Sequence, residues 1–367
     1  MRFQPGRVHV LSLAALAVIG LALLAVAERS KSPVEQPHFD EKMEAATKTR
    51  HAIEAIRETR LGSGGPIDVV NDPNETGLIG PEFSLITTDR GSLDQKLRGL
   101  DPNLAAVFVD LLKRAGVERG DLVAVGVTGA FPVMNTAVVI AIEALGATPV
   151  VISSVGSSMW GATDPALTWL DMESVLLRDG VISHRSVAAS IGGSDDRGRG
   201  LSPEGRALVT GAIARNGVAP IEKQTLEGSI SERMRIYREA AGGKRYAAFV
   251  NVGGGLANVG SPQIGQLIRP GLSRRLEFEN PPVRGVMLRM ADRRVPIVHV
   301  PSPDPFVERY GLAEEPVPLP AAGTGGVFYQ DRYNVPLAGI LAVLYGFLIF
   351  VVVRIDLKHY LFRRPSA

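Results

Sequence analysis

The stretch LVAVGVTGAFPVMNTAVVIAIEALGATPVVIS, residues 122–153, reads as strand, helix, strand. Leu122 to Val127 is an apolar, β-branched run, the pattern of a strand buried on both faces. Thr128-Gly129-Ala130-Phe131-Pro132 reads as a loop. Asn135 to Leu145 reads as a helix ended by Gly146, a residue that accepts the left-handed conformation common past a helix C-terminus. Thr148 to Ser153 repeats the apolar run. A strand, a helix and a strand joined by short loops make a βαβ unit, which implies parallel strands and a right-handed crossover.

The alternation extends both ways. Upstream, Phe83 to Thr88 reads as a short strand. Leu104, Val107, Phe108, Leu111 and Leu112 recur at helical spacing, with Asp101-Pro102 at the start and Gly116 as the stop. Downstream, Asp164-Pro165 opens a helix carrying Leu167, Leu170, Val175 and Leu176, and Ser202-Pro203-Glu204 opens one that stops at Gly217. Ser229-x-x-Glu232 reads as a capping box for a helix to about Ala241. Tyr246 to Val252 and Val295 to Val300 read as further strands. Leu61 to Glu82, Ile191 to Gly200 and Glu314 to Gly326 carry turn residues and read as loops, the second of them exposed. The fold class expected is α/β: a mostly parallel sheet with helices on both faces, in Rossmann-like layers.

Two charge-free apolar runs frame this domain, Val10 to Ala27 and Val335 to Val353. Eighteen helical residues at about 1.5 Å each span roughly 27 Å, close to the hydrocarbon thickness of a bilayer. Arg2 and Arg7 precede the first run; Arg354, Lys358, Arg363 and Arg364 follow the second. Basic flanks stay cytoplasmic, so both termini (residues 1–9 and 354–367) are expected inside, and residues 28–334 outside, a bacterial cytoplasmic membrane. Ala25-Val26-Ala27 fits a signal-peptidase pattern, so the first run is a retained anchor or a long signal peptide, and its length favours the anchor. Residues 39–60, with Met43, Ala46, Ile53 and Ile56 on one stripe, read as a membrane-proximal helix lying on the main domain.

The whole chain has a formal net charge of +2, from 40 basic and 38 acidic residues, and no Cys. Without Cys there is no disulfide, thiolate metal site or Cys nucleophile. By this topology the outside domain holds 34 basic and 37 acidic residues, yet Ser231 to Arg294 carries 12 basic residues against 5 acids. Within that segment Arg274, Arg275, Arg284, Arg289, Arg293 and Arg294 form a candidate patch for a polyanion, since guanidinium groups take carboxylates two-pronged. A solvated surface with ion pairs is the plainer reading. No nucleic-acid motif accompanies it.

In an open parallel sheet, ligands bind beyond the C-terminal strand ends. Four segments lie there: Thr128 and Gly129 running to Asn135; Ser153, Ser154, Ser157 and Ser158 running to Asp164; Asn251 with Gly253, Gly254 and Gly255; and His299 onward. Free backbone N–H groups at such loops suit a carboxylate or phosphate. Each loop alone is ordinary turn chemistry, His299 alone reads as a satisfied polar residue, and Trp160 and Trp169 read as packing. The glycines at 253–255 do not complete a dinucleotide fingerprint, because Asn258 stands where a third Gly is needed. P-loop, G-x-S-x-G and H-E-x-x-H patterns are absent, and no cofactor or metal is expected.

Gly126-Val-Thr-Gly-Ala-Phe-Pro-Val-Met-Asn135, the helix to Gly146, Ser153-Ser-Val-Gly-Ser-Ser-Met-Trp-Gly-Ala-Thr-Asp164 and Asn251-Val-Gly-Gly-Gly255 resemble the poly-γ-glutamate system protein family. The resemblance covers most of the chain, both apolar runs included. It implies a membrane-bound accessory component of bacterial poly-γ-glutamate (capsule or exopolymer) synthesis or export. Its partners would be the polymer, an ATP-dependent glutamate ligase and an integral membrane subunit. The family supplies no catalytic residues to carry over. Three expectations follow. The leading one is a component that binds or guides the polyanion outside the membrane. A second is a hydrolase or transferase that trims or releases it, with one of the four serines as nucleophile and His299 or His184 as base. The third is a purely structural subunit, whose strand-end loops would pack without a polar cavity.

Overall fold

The computed structural model describes residues 10–354. Arg2, Arg7, Lys358, Arg363 and Arg364, on which the sidedness expectation largely rests, lie outside the described residues. The chain divides into two units: Pro37–Phe328, and the segments on either side of it.

The larger unit is α/β. Its seven-stranded sheet runs, in spatial order, Ala219–Pro220, Ser186–Ser190, Thr148–Ser154, Leu122–Thr128, Tyr246–Val252, Ile297–Val300 and Gly271–Ser273. All neighbours are parallel except the last edge strand, which pairs antiparallel with Ile297–Val300. The first strand in sequence, Leu122–Thr128, lies in the middle, with its successors stacking to one side and Tyr246–Val252 to the other. Side chains alternate across it. Val123, Val125 and Val127 enter one core, built with helices Phe39–Gly62, Leu104–Ala115, Pro132–Ala144 and Trp169–Arg178. Ala124 faces the other core, with Ile230, Met234 and Tyr237 of helix Leu226–Ala241 and Val286 to Leu288 of helix Val286–Asp292. That period of two, with apolar residues on both faces, is why the strand reads as one continuous apolar run.

Several boundaries differ from the sequence reading. The helix expected from Asn135 begins at Pro132, where proline's missing N–H is not needed. The helix expected at Asp164-Pro165 begins at Trp169, capped by Thr168 and Asp171. Asp164 instead holds Arg60 at 3.1 Å. Ser229 does not open its helix: Thr225 caps it by accepting from the Gly228 N–H at 3.1 Å, and Ser229 is buried inside. Phe83 is exposed, and only Thr87–Asp89 forms a strand there, paired with Ser157–Ser158 outside the main sheet. Ser186–Ser190, Ala219–Pro220 and Gly271–Ser273 are strands without a sequence signal, being short and poor in large β-branched residues. The 191–200 loop is not wholly exposed, since Asp196 is buried.

In the smaller unit, helices Val10–Arg29 and Val335–Arg354 are each long and apolar enough to cross a membrane. They are antiparallel: Tyr333 bonds Glu28, and further along Tyr345 Oη donates to Leu16 O at 3.2 Å. Gly20 permits this approach, because a Cβ there would lie 2.8 Å from Tyr345 Oη. Strands Ser32–Glu35 and Tyr329–Arg332 pair antiparallel next to the helices.

One buried group ties stability to pH. Glu173 accepts from Ser186 Oγ at 2.9 Å, Ser186 shares 2.6 Å with Ser153, and Trp169 Nε1 donates to Ser153 Oγ at 3.0 Å. Burial raises the Glu173 carboxyl to about 7. A raised acid binds more protons folded than unfolded, so its stabilising contribution is full below the ordinary carboxylate range and is lost as pH rises through about 7. Chemical denaturation between about pH 5 and about pH 8 is therefore expected to show a steeper loss of stability in the native protein than in Glu173→Gln. Equal slopes would exclude the assignment.

Candidate functional site

The strand order reverses between Leu122–Thr128 and Tyr246–Val252, and the loops beyond their C-terminal ends diverge around an open cavity of about 570 Å³. Of the sequence candidates, Thr128, Ser154, Ser158, Gly254, Gly255 and His299 line it. Gly129, Asn135, Ser153, Ser157, Asp164, Asn251 and Gly253 do not. Asn135 is fully buried and donates from Nδ2 to Thr128 O at 2.7 Å, shaping the loop from behind. Gly253, at φ 81°, turns the chain beside Thr128; a Cβ there would lie 2.6 Å from Thr128 Oγ1.

The four serines separate by environment. Ser153 is buried among Trp169 and Ser186, and Ser157 is buried and donates to Ser158 O at 2.8 Å. Ser154 borders the cavity, but its hydroxyl belongs to an interior ion pair. Arg233 Nη2 donates to it at 2.9 Å, and it donates to Asp196 Oδ1 at 3.1 Å. Arg233 and Asp196, both essentially solvent-free, are 3.1 Å apart, and Ser190 and Ser229 complete the shell around them. With its proton given to Asp196 and a lone pair taken by the guanidinium, the Ser154 hydroxyl is committed to the ion pair. Ser158 differs: it is half-buried, lines the cavity and meets Lys96.

Lys96 lies on the short helix Leu93–Arg98 and is 4% exposed. Its Nζ donates to Ala130 O at 2.7 Å and to Ser158 Oγ at 2.8 Å, and sits 4.1 Å from the centre of the Phe131 ring. Among the described residues no carboxylate lies within ion-pair distance of it, and burial lowers its pKa to about 7. Leu93–Arg98 carries none of the patterns drawn from the sequence, so nothing there marks it. Arg90 and Asp89 stand at the exposed rim.

Neither histidine reaches a serine hydroxyl. Asn251 Nδ2 lies 3.1 Å from His299 Nδ1, and His299 Nε2 lies 3.1 Å from Gly265 O, the geometry of an imidazole protonated on Nε2. Burial lowers the His299 pKa, holding it neutral. His184 Nδ1 is engaged by Glu143 at 2.8 Å. The histidine bases expected from sequence are therefore not paired with any of the four serines. Among the described residues no cluster of His, Asp and Glu is arranged to hold a metal.

The arginine segment disperses. Arg233 is interior, Arg284 pairs with Asp292 at 2.6 Å, and Arg289 pairs with Glu227. Arg274, Arg275, Arg293 and Arg294 are exposed. Ser273 pairs with Ile297, and Arg245 donates to Arg293 O at 3.3 Å, so these four gather at the N-terminal edge of the sheet. The cavity is at the opposite edge.

No family model, curated protein or solved structure matches the chain.

Arg233→Ala should leave Asp196 charged and unpaired in the interior, a loss of about 3–5 kcal/mol by denaturant unfolding. Replacing both partners with apolar residues, Arg233→Met with Asp196→Leu, should recover most of it. A single replacement costing less than about 1 kcal/mol would show that the pair does not organise this edge.

Proposed function

We propose that this protein is a membrane-anchored component of bacterial poly-γ-glutamate synthesis or export, and that its strand-end cavity receives a carboxylate-bearing end of the polymer. The carrying observation is the cavity itself. A purely structural subunit would have its strand-end loops packed against one another, whereas here they border about 570 Å³ with Lys96 and Arg90 opposed by Asp89. The Arg90 guanidinium and the Ser158 hydroxyl suit a carboxylate. In doubly wound sheets of the Rossmann type, the place where strand order reverses is the usual ligand site.

The antiparallel apolar helices support the anchoring. If both cross one bilayer, their outer ends, Val10 and Arg354, lie on the same side, and the sheet domain between them lies on the other. The basic residues flanking the helices support a cytoplasmic side for those ends. The polymer, a glutamate ligase and an integral membrane subunit are the partners this reading assigns. Arg274, Arg275, Arg293 and Arg294 offer the polymer a second contact. A seven-residue strand at about 3.3 Å per residue puts that patch roughly 23 Å from the cavity. A chain touching both must therefore be long.

The test is binding of poly-γ-glutamate of defined length to the purified full chain in detergent. Affinity should fall steeply with added salt. Arg90→Glu should weaken short and long polymers alike. Reversing Arg274, Arg275, Arg293 and Arg294 together should weaken only the long ones, by about tenfold or more. Binding that ignores both sets of changes would sink this reading.

A further inference from the structure

We propose that Ser158 and Lys96 form a nucleophile and general base for acyl transfer on an amide-linked substrate seated in the strand-end cavity. This rests on the reading of the cavity as the ligand site and assigns that site an activity.

Three observations converge. Ser158 is the one of the four strand-end serines that faces the cavity with a hydroxyl not committed to an ion pair. Lys96 Nζ lies 2.8 Å from it, within proton-transfer distance. The amine is held without a counter-charge, by Ala130 O at 2.7 Å and the Phe131 ring at 4.1 Å. A lysine kept for stability would face water or a carboxylate, because an ammonium buried alone is costly. Gly91 brings the rim loop close: a Cβ there would lie 2.7 Å from Met159 O and 3.4 Å from Lys96 Cε. Burial lowers the Lys96 pKa to about 7, so near neutrality a large fraction is the free amine. In that form the 2.8 Å contact reverses, and the Ser158 O–H donates to the nitrogen lone pair.

The chemistry then balances. Ser158 Oγ attacks the amide carbonyl carbon while its proton passes to Lys96 Nζ. The tetrahedral adduct collapses, the C–N bond breaks, and the Lys96 ammonium returns the proton to the leaving amine. This leaves an ester on Ser158. Water, or a second amine, attacks that ester with Lys96 again taking the proton. The ester C–O bond breaks, and the proton goes back to Ser158 Oγ. Arg90 at the rim selects amides that carry a nearby carboxylate, as a γ-glutamyl linkage does.

The test is labelling of the full chain in detergent by a fluorophosphonate, with the modified residue located by mass spectrometry. Expected is one label, on Ser158, at a rate that rises with pH and levels above about 7. Ser158→Ala should not label. Lys96→Arg, which keeps the charge and cannot become neutral, should label at least about 100-fold more slowly. Lys96→Ala should be partly restored by added propylamine. No labelling, labelling elsewhere, or equal rates in native protein and Lys96→Arg would overturn the pair. Polymer binding by Ser158→Ala separates the two levels. Binding that persists while native protein fails to label removes the activity and leaves the ligand site, whereas loss of both removes both.

Discussion

A parallel strand has to be re-entered from the same end each time, so every loop that follows one of the parallel strands in this sheet leaves at one edge, and only the antiparallel Gly271–Ser273 departs from it. At Leu122–Thr128 that constraint becomes a cavity. Its successors in sequence stack to one side, and Tyr246–Val252 takes the other. The loop after Thr128 and the loop after Val252 therefore diverge where two others would touch. The two apolar cores on the faces of this strand hold it in place, and the chemistry at its end inherits that rigidity.

The sequence made the central βαβ unit legible because the parallel strands are buried on both faces and the helix between them is bounded by turn residues. It failed where the signal is tertiary. Ser186–Ser190 is a strand because its neighbour offers a free edge and because Ser186 and Ser190 find Glu173 and Asp196, not because it is apolar. Ser229-x-x-Glu232 matched a capping box, yet Ser229 serves the buried Asp196 and Thr225 caps the helix. Local patterns name what a residue can do; the partner arriving from far along the chain decides which option is taken.

The candidate site divides the same way. The strand-end loops were found by position, since fold geometry alone brings them together. Which serine matters was not, because four nearly adjacent hydroxyls differ only in what lies behind them. The expected base was a histidine, the residue whose ordinary pKa lies nearest neutrality. A buried lysine reaches the same range by desolvation, and that is invisible in a charged hexapeptide.

Arg233 and Lys96 show two ways in which one edge keeps a basic side chain out of water. Both are cations taken out of water, but Arg233 has Asp196 at 3.1 Å and a shell of hydroxyls, while Lys96 has one carbonyl, one hydroxyl and a ring face. The guanidinium cannot give up its proton at any ordinary pH, so it must be paired, and pairing makes it a fixed strut that also fixes Ser154. The amine can, so burial without a partner stays tolerable: the group sheds its charge instead of bearing the full desolvation cost. Arg233 therefore depends on its partner, whereas a carboxylate beside Lys96 would hold the amine charged. The two cations lie on either side of the Ser154–Ser158 segment, one fixing its start and the other meeting its end.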